Sequence, residues 1–253
     1  MSKSKQEHLT ATIKREPFDT YMHAVSELVS EAKLHIGPEG LETKAVDPAN
    51  VAMVHAQLDA SAFVDAPEAD GTVGIATESF ADAAPSEYDI ELTYDASRRK
   101  MDVSSGVYWQ EYATIDPDNV RTEPDLHDYG LSSRLTVKSD WLEDAIEWFH
   151  RFGSHVRMGY DPVEERLWME CIETNGSSTG TDERGLSIGR DELVSVSEHG
   201  ESDSKFSLDY FRDIAAGLPD GDVELYIGKE YPMTFTHEFE HGSIKYMLAP
   251  RMS

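Results

Sequence analysis

The sequence predicts an α+β chain made twice from one unit, two helices plus many antiparallel strands, repeated at an offset of roughly 120–133 residues. Three observations predict it. Four stretches carry apolar residues at helical spacing, short alternating runs broken by turn residues lie between them, and helices, turns and strands succeed one another in the same order in both halves.

In the first half, Phe18, Tyr21, Met22, Val25, Leu28, Val29 and Ala32 fall three and four apart, predicting a helix near residues 18–32. Gly37-Pro38-Glu39-Gly40 then reads as a hairpin turn. A short alanine-rich helix near Ser79 to Ala84 precedes strands that start at Asp89-Ile90-Glu91-Leu92. In the second half, Trp141, Leu142, Ala145, Ile146, Phe149 and Phe152 predict a helix opened by Ser139 or Asp140 as its cap. A hairpin follows at Asp161–Glu164. Leu208, Phe211, Ile214, Ala215 and Leu218 form the last stripe behind Ser207, and Asp220-Gly221 turns into strands from Asp222-Val223-Glu224-Leu225. Asp116 to Ser133 is polar, carries two prolines and reads as a linker on which Leu126, Tyr129 and Leu131 are apolar. The expected domains are 1–117 and 134–253, joined by a connecting loop over 118–133.

The charge is lopsided: 49 Asp and Glu against 22 Lys and Arg, a formal net of −27 over 253 residues. It runs the full length, which excludes an acidic tail, and 39% hydrophobic residues in patterned segments exclude an acidic disordered chain. A binder of cations or basic proteins would also be acidic. Scattered carboxylates with scarce lysine fit best a cytosol of molar salt, where the Debye length shrinks to ~3 Å. Cys171 is the sole cysteine, placed in an apparent strand as a small buried hydrophobe, so one chain holds no disulfide and no cysteine-based metal site. The N-terminus has no apolar signal region and no window approaches a membrane span, so the expected location is cytoplasmic, with no membrane partner.

The segment Leu41-Glu42-Thr43-Lys44-Ala45-Val46-Asp47-Pro48-Ala49-Asn50-Val51-Ala52-Met53-Val54 resembles the first-domain segment of the PCNA family of DNA sliding clamps. The ending Gly242-Ser243-Ile244-Lys245-Tyr246-Met247-Leu248-Ala249-Pro250-Arg251 is similar to that family's C-terminal signature, and Phe206-Ser207-Leu208-Asp209-Tyr210-Phe211 to the start of its last helix. In order and at this length, they span essentially the whole chain. The resemblance implies the duplicated sliding-clamp fold, antiparallel sheets outside and helices lining a central channel, in a homotrimeric ring around duplex DNA. It implies a processivity factor for DNA polymerase, not an enzyme, with no cofactor, metal or catalytic residue. Clamp loader, DNA polymerases, flap endonuclease and DNA ligase would attach by short docking peptides. The matching pocket positions are Val46, Asn50, Val51, Met53, Leu126, Tyr129, Pro232, Met247, Leu248, Ala249 and Pro250. An apolar patch rimmed by polar groups is what an aromatic peptide anchor needs. Ring closure is expected between an edge strand near Val107–Thr114 and one near Gly185–Arg190 of the neighbour.

One departure matters. The helices expected to face DNA carry Asp19, Glu27, Glu31, Glu78, Asp82, Asp140, Glu143, Asp144, Glu147, Asp209 and Asp213, with Arg151, Arg212, His23 and His150 as the positive or potentially positive groups. Phosphate contacts made by such faces are weak, and counterion release yields little in high salt. The sequence therefore favours retention by ring closure, with hydrated cations bridging carboxylates to phosphate. Arg98-Arg99-Lys100 and Lys14-Arg15 read as solvated turns.

Two rival readings remain. His237-Glu238-Phe239-Glu240-His241 matches the zinc-protease pattern H-E-x-x-H, which requires a helix. Met233, Phe235, His237 and Phe239 alternate with polar residues instead, as in a strand, where His237 and His241 stand roughly 13 Å apart and cannot share one metal. An acidic scaffold for basic proteins shares the composition but leaves the duplication unexplained. No phosphate loop with a Lys-Ser/Thr pair occurs, and the sequon Asn175-Gly176-Ser177 has no signal peptide to bring it to glycosylation.

Overall fold

The computed structural model describes residues 8–82, 87–124, 132–174 and 181–251. The first half runs β1 (His8–Ile13), α1 (Arg15–Leu28), β2 (Glu31–Gly37), β3 (Gly40–Val46), β4 (Ala52–Asp59), β5 (Phe63–Asp65), β6 (Gly71–Ala76), α2 (Thr77–Ala81), β7 (Ile90–Asp95), β8 (Lys100–Ser105) and β9 (Tyr108–Ala113). The second half repeats that order: β10 (Ser133–Lys138), α3 (Ser139–His150), β11 (His155–Asp161), β12 (Arg166–Thr174), β13 (Thr181–Gly189), β14 (Ser195–His199), β15 (Ser204–Ser207), α4 (Leu208–Gly217), β16 (Asp222–Ile227), β17 (Met233–Phe239) and β18 (Gly242–Leu248). Single turns of 3-10 helix follow β4, β9 and β13.

The chain divides into two compact units. Unit 1 holds the described residues up to Val46, Val54–Pro124 and the hairpin tip Glu238–Ile244; unit 2 holds Asp47–Met53, the described residues from 132 to His237, and Lys245 to Arg251. The sequence reading places both exchanged segments with the other half, because it divides the chain at one point only.

In unit 1, strands order β5-β1-β7-β8-β9 in one antiparallel sheet, with β9 at its edge, and β4-β3-β2-β6 in another. The helix face predicted from Phe18, Tyr21, Met22 and Val25 is buried, and Phe18 meets Phe80 of α2 edge-on at 6.0 Å. Tyr21 donates to Thr43 Oγ1 at 2.5 Å inside this core. α1 ends at Leu28 rather than near 32, because Ala32, Leu34 and Ile36 alternate with less buried neighbours and belong to β2. The hairpin at Gly37–Gly40 is as read: Gly37 pairs with Gly40 around Pro38-Glu39. Gly40 sits at φ +151°, and a Cβ there would lie 2.1 Å from Leu58 O. β1, which helical periodicity does not announce, buries Leu9, Ala11 and Ile13. The alanine-rich helix is α2, shifted to Thr77–Ala81; Ala84 lies outside the described residues.

In unit 2, strands order β14-β10-β16-β17 and β13-β12-β11-β15, with β13 at an edge. Leu142, Ala145, Ile146 and Phe149 of α3, and Leu208, Phe211, Ile214 and Ala215 of α4, are buried as their stripes predict. Ser139 does not cap α3. Its hydroxyl accepts from Gly221 N–H at 3.0 Å, and Lys138 holds the cap position. Cys171 is buried in β12. Asp161 turns the β11–β12 hairpin by accepting from Val163 and Glu164 N–H at 2.9 and 3.1 Å. The H-E-x-x-H segment is strand β17 and the turn after it. His237 Nδ1 bonds Asp222 O at 3.0 Å and His241 Nδ1 bonds Ser61 Oγ at 2.9 Å, so the two rings serve different partners.

Candidate functional site

Asp47 builds the loop that carries the expected partner contacts. Its side chain is 2% exposed and accepts from Ala49 N–H at 2.7 Å, Val51 N–H at 2.6 Å and Ala52 N–H at 2.8 Å. A fourth bond comes from Tyr210 Oη in α4, at 2.7 Å. Burial pushes the Asp47 carboxyl up, but the bonds from Ala52, Tyr210, Ala49 and Val51 together outweigh it and hold the group below its ordinary range. The same bond, with burial behind it, raises Tyr210 to about 12. One carboxylate thus sets the turn in which Asn50 adopts φ 57°. In the sequence, Asp47 and Tyr210 stand out only as members of the family-like segments that contain them. Their separation of 163 positions leaves no local signal of the bond.

Within unit 2, Ala249 N–H donates to Val51 O at 2.8 Å, bringing the C-terminal segment against this loop. Val51, Met53, Pro232, Ala249 and Pro250 are half-exposed and Asn50 is exposed. Met247 and Leu248 are buried, at 3% and 0%. Val46 is half-exposed at the end of β3 and belongs to unit 1. Leu126 and Tyr129 lie outside the described residues. Pro232 follows Tyr231, whose N–H donates to Ser204 Oγ at 3.3 Å, while Arg251 N–H donates to Lys205 O at 2.7 Å.

On the helices, each expected positive group has a carboxylate beside it. His23 Nδ1 lies 3.6 Å from Glu27, Arg151 lies 3.6 Å from Glu147, and His150 Nε2 bonds Asp209 at 3.0 Å. Arg212 lies 3.9 Å from Asp213 and 3.4 Å from His150 Nε2. Asp140, Glu143, Asp144 and Glu147 are exposed along α3. The α3–α4 face is therefore acidic.

At the sheet edges, β9 exposes Tyr108 and Trp109, the latter 79% exposed, with Val107 just before it at 87%. β13 pairs on one side with β12 over nine positions from Arg166↔Gly189 to Thr174↔Thr181. β9 and β13 hold the places in their halves that β18 and β4 hold in the other halves. Where the hairpin tip lies in unit 1, Asp59 N–H of β4 donates to His241 O at 3.0 Å.

No family model matches the chain. It is 33% identical over 248 residues to the DNA polymerase sliding clamp of Haloarcula marismortui, and 34% identical over 248 residues to that of Natronomonas pharaonis. Both alignments cover 96% of this chain and 98% of the relative. Among solved structures, the C-terminal region of FEN-1 bound to A. fulgidus PCNA matches with a TM-score of 0.83 and 25% identity, covering 97% of this chain and 99% of that one. PCNA from Thermococcus kodakaraensis shares the fold, with a TM-score of 0.81 at 18% identity, covering 96% and 100% of the two chains.

Proposed function

Because the chain belongs to the DNA polymerase sliding clamp family, we propose that it closes as a ring of three copies around duplex DNA and tethers replication and repair enzymes there. The observation that carries this reading is the pair of open edges. β9 and β13 are the repeat counterparts of β18 and β4, which hydrogen-bond at the hairpin tip, so β9 of one copy meeting β13 of the next repeats a pairing the chain already makes. An open edge flanked by exposed Val107 and Trp109 otherwise invites uncontrolled pairing.

Partners dock short peptides on the half-exposed set of Val51, Met53, Pro232, Ala249 and Pro250, with exposed Asn50 beside Val51; the family resemblance adds Val46, Leu126 and Tyr129 to the expected contacts. The solved complex of A. fulgidus PCNA with a FEN-1 C-terminal region supports flap endonuclease as one such partner; clamp loader, polymerase and ligase follow from the same mode. The protein acts without catalysis, in a salt-rich cytoplasm. Among the described residues no helix is long and apolar enough to cross a membrane. Retention on DNA is topological. The acidic, internally paired α3–α4 face supports cation-bridged rather than direct phosphate contact.

Light scattering in molar KCl tests the ring. The expected mass is three times the 28.3 kDa of one chain. A persistent single-chain mass removes topological tethering and leaves the acidic binding-protein reading in front.

A further inference from the structure

Beside the docking surface, unit 2 holds a cavity of about 440 Å³ walled by Arg157, Asp203, Lys205, Lys229, Glu230 and Arg251. Its charge runs against the rest of the molecule. Asp203 answers Arg157 through two contacts, Nε to Oδ1 at 3.2 Å and Nη2 to Oδ2. Lys205, Lys229 and Arg251 are exposed and form no ion pair with another described residue, which leaves three cations against the single carboxylate of Glu230. The surplus is felt nearby. His155 is held below its ordinary range by burial first and then by the charges of Arg251 and Lys205.

The walls are also tied in place. Glu230 N–H donates to Asp203 O at 3.0 Å, Ser204 Oγ to Gly228 O at 3.1 Å, and Arg251 N–H to Lys205 O at 2.7 Å. Pro250 lines both this cavity and the proposed docking surface, so a peptide seated on the one continues onto the other.

We propose that this cavity is a charge-reading subsite that selects docking peptides with an acidic segment flanking their apolar anchor. The inference rests on the docking reading above. In a chain of net −27, acidic partners of a shared salt-rich cytosol are repelled over most of the surface, and three unpaired cations beside the anchor site give them one place of attraction. Molar salt removes long-range steering, leaving only contact pairs between carboxylates and Lys or Arg. The effect is therefore a preference among peptides, not the bulk of the affinity.

The test uses the full-length protein in molar KCl and fluorescence anisotropy. Three probes share the FEN-1 C-terminal segment of the solved complex, extended at both ends by Asp-Glu pairs, Asn-Gln pairs or Lys pairs. The expected order is acidic over neutral over basic, with acidic binding roughly threefold to tenfold tighter than neutral. K205Q combined with K229Q abolishes that difference while the neutral probe keeps its affinity. Equal binding of the three probes, or a preference that survives K205Q/K229Q, overturns the subsite and leaves the docking surface standing. Binding of none of them overturns the docking surface and the subsite with it. Displacement of the acidic probe by a short duplex DNA assigns the cations to phosphate and also overturns the proposal.

Discussion

At Asp47, one buried carboxylate accepts from three loop N–H groups and from Tyr210 Oη, so truncation leaves four donors to find other partners. Asp47→Ala is expected to cost about 2–3 kcal/mol, the usual penalty for orphaned buried polar groups, and to weaken peptide binding at least tenfold through the disordered loop. Tyr210→Phe removes one bond and is expected to cost about 1 kcal/mol. Urea titration in molar KCl reads both, and a tolerated D47A shows that the loop holds its shape without the carboxylate. The signs of the pH effects are opposite. Asp47 is depressed when folded, so its contribution is present above the ordinary carboxyl value of 3.8 and is lost as pH falls through the lower folded value. Tyr210 is raised to about 12, so its contribution is present below 10.0 and is lost as pH rises towards 12. Y210F flattens the alkaline limb of the stability profile between those two values; an unchanged limb shows that another tyrosine governs it.

At the scale of elements, period explains both what the sequence reveals and what it hides. Stripes such as Leu142, Ala145, Ile146 and Phe149 announce α3 because a helix buries one face only. Position 32 satisfies helical spacing from Leu28 and also strand alternation with Leu34, so Ala32 reads as part of the first stripe; packing in β2 decides between them. The edges of β9 and β13 were legible as places, but their counterparts β18 and β4 appear only once strand order is known. Within the expected pocket, Tyr246, Met247 and Leu248 are buried in succession at the end of β18, and partial exposure begins at Ala249, past the end of that strand. Trp109 on β9 gives the edge its test. Trp109→Glu places a carboxylate on the expected pairing face of an already acidic chain and is expected to lower the mass in molar KCl from three chains to one, with the far-UV spectrum unchanged. A ring that survives W109E moves closure to another strand. The exposed face of α3 gives a second test, because Glu143 and Asp144 point away from the core. Converting both to Lys is expected to steepen the logarithmic dependence of linear-DNA binding on salt by about 1–2, close to one unit per new phosphate contact. No change in slope means that α3 does not face the duplex.

For the molecule as a whole, salt decides whether the parts stay together. Each chain carries a formal −27, and its ion pairs, such as Lys100 with Glu111 at 2.8 Å or Arg166 with Glu164 at 2.9 Å, lie at the surface, where such pairs contribute little. The cores are different. Phe211 against Phe235 at 5.2 Å, or Tyr21 in its buried bond to Thr43, owe their stability to packing and burial that screening barely touches. Self-repulsion between copies is long-ranged and grows as the Debye length lengthens from ~3 Å near 1 M salt to ~30 Å at 0.01 M. Lowering KCl stepwise is therefore expected to separate the copies first and to unfold each chain only later. Light scattering then falls from three chains to one across a range in which far-UV dichroism holds steady, and restoring salt restores the mass. If dichroism and mass fall together, copies and chains share one cooperative transition, and pairing of β9 with β13 contributes to the fold of each chain as well as to ring closure.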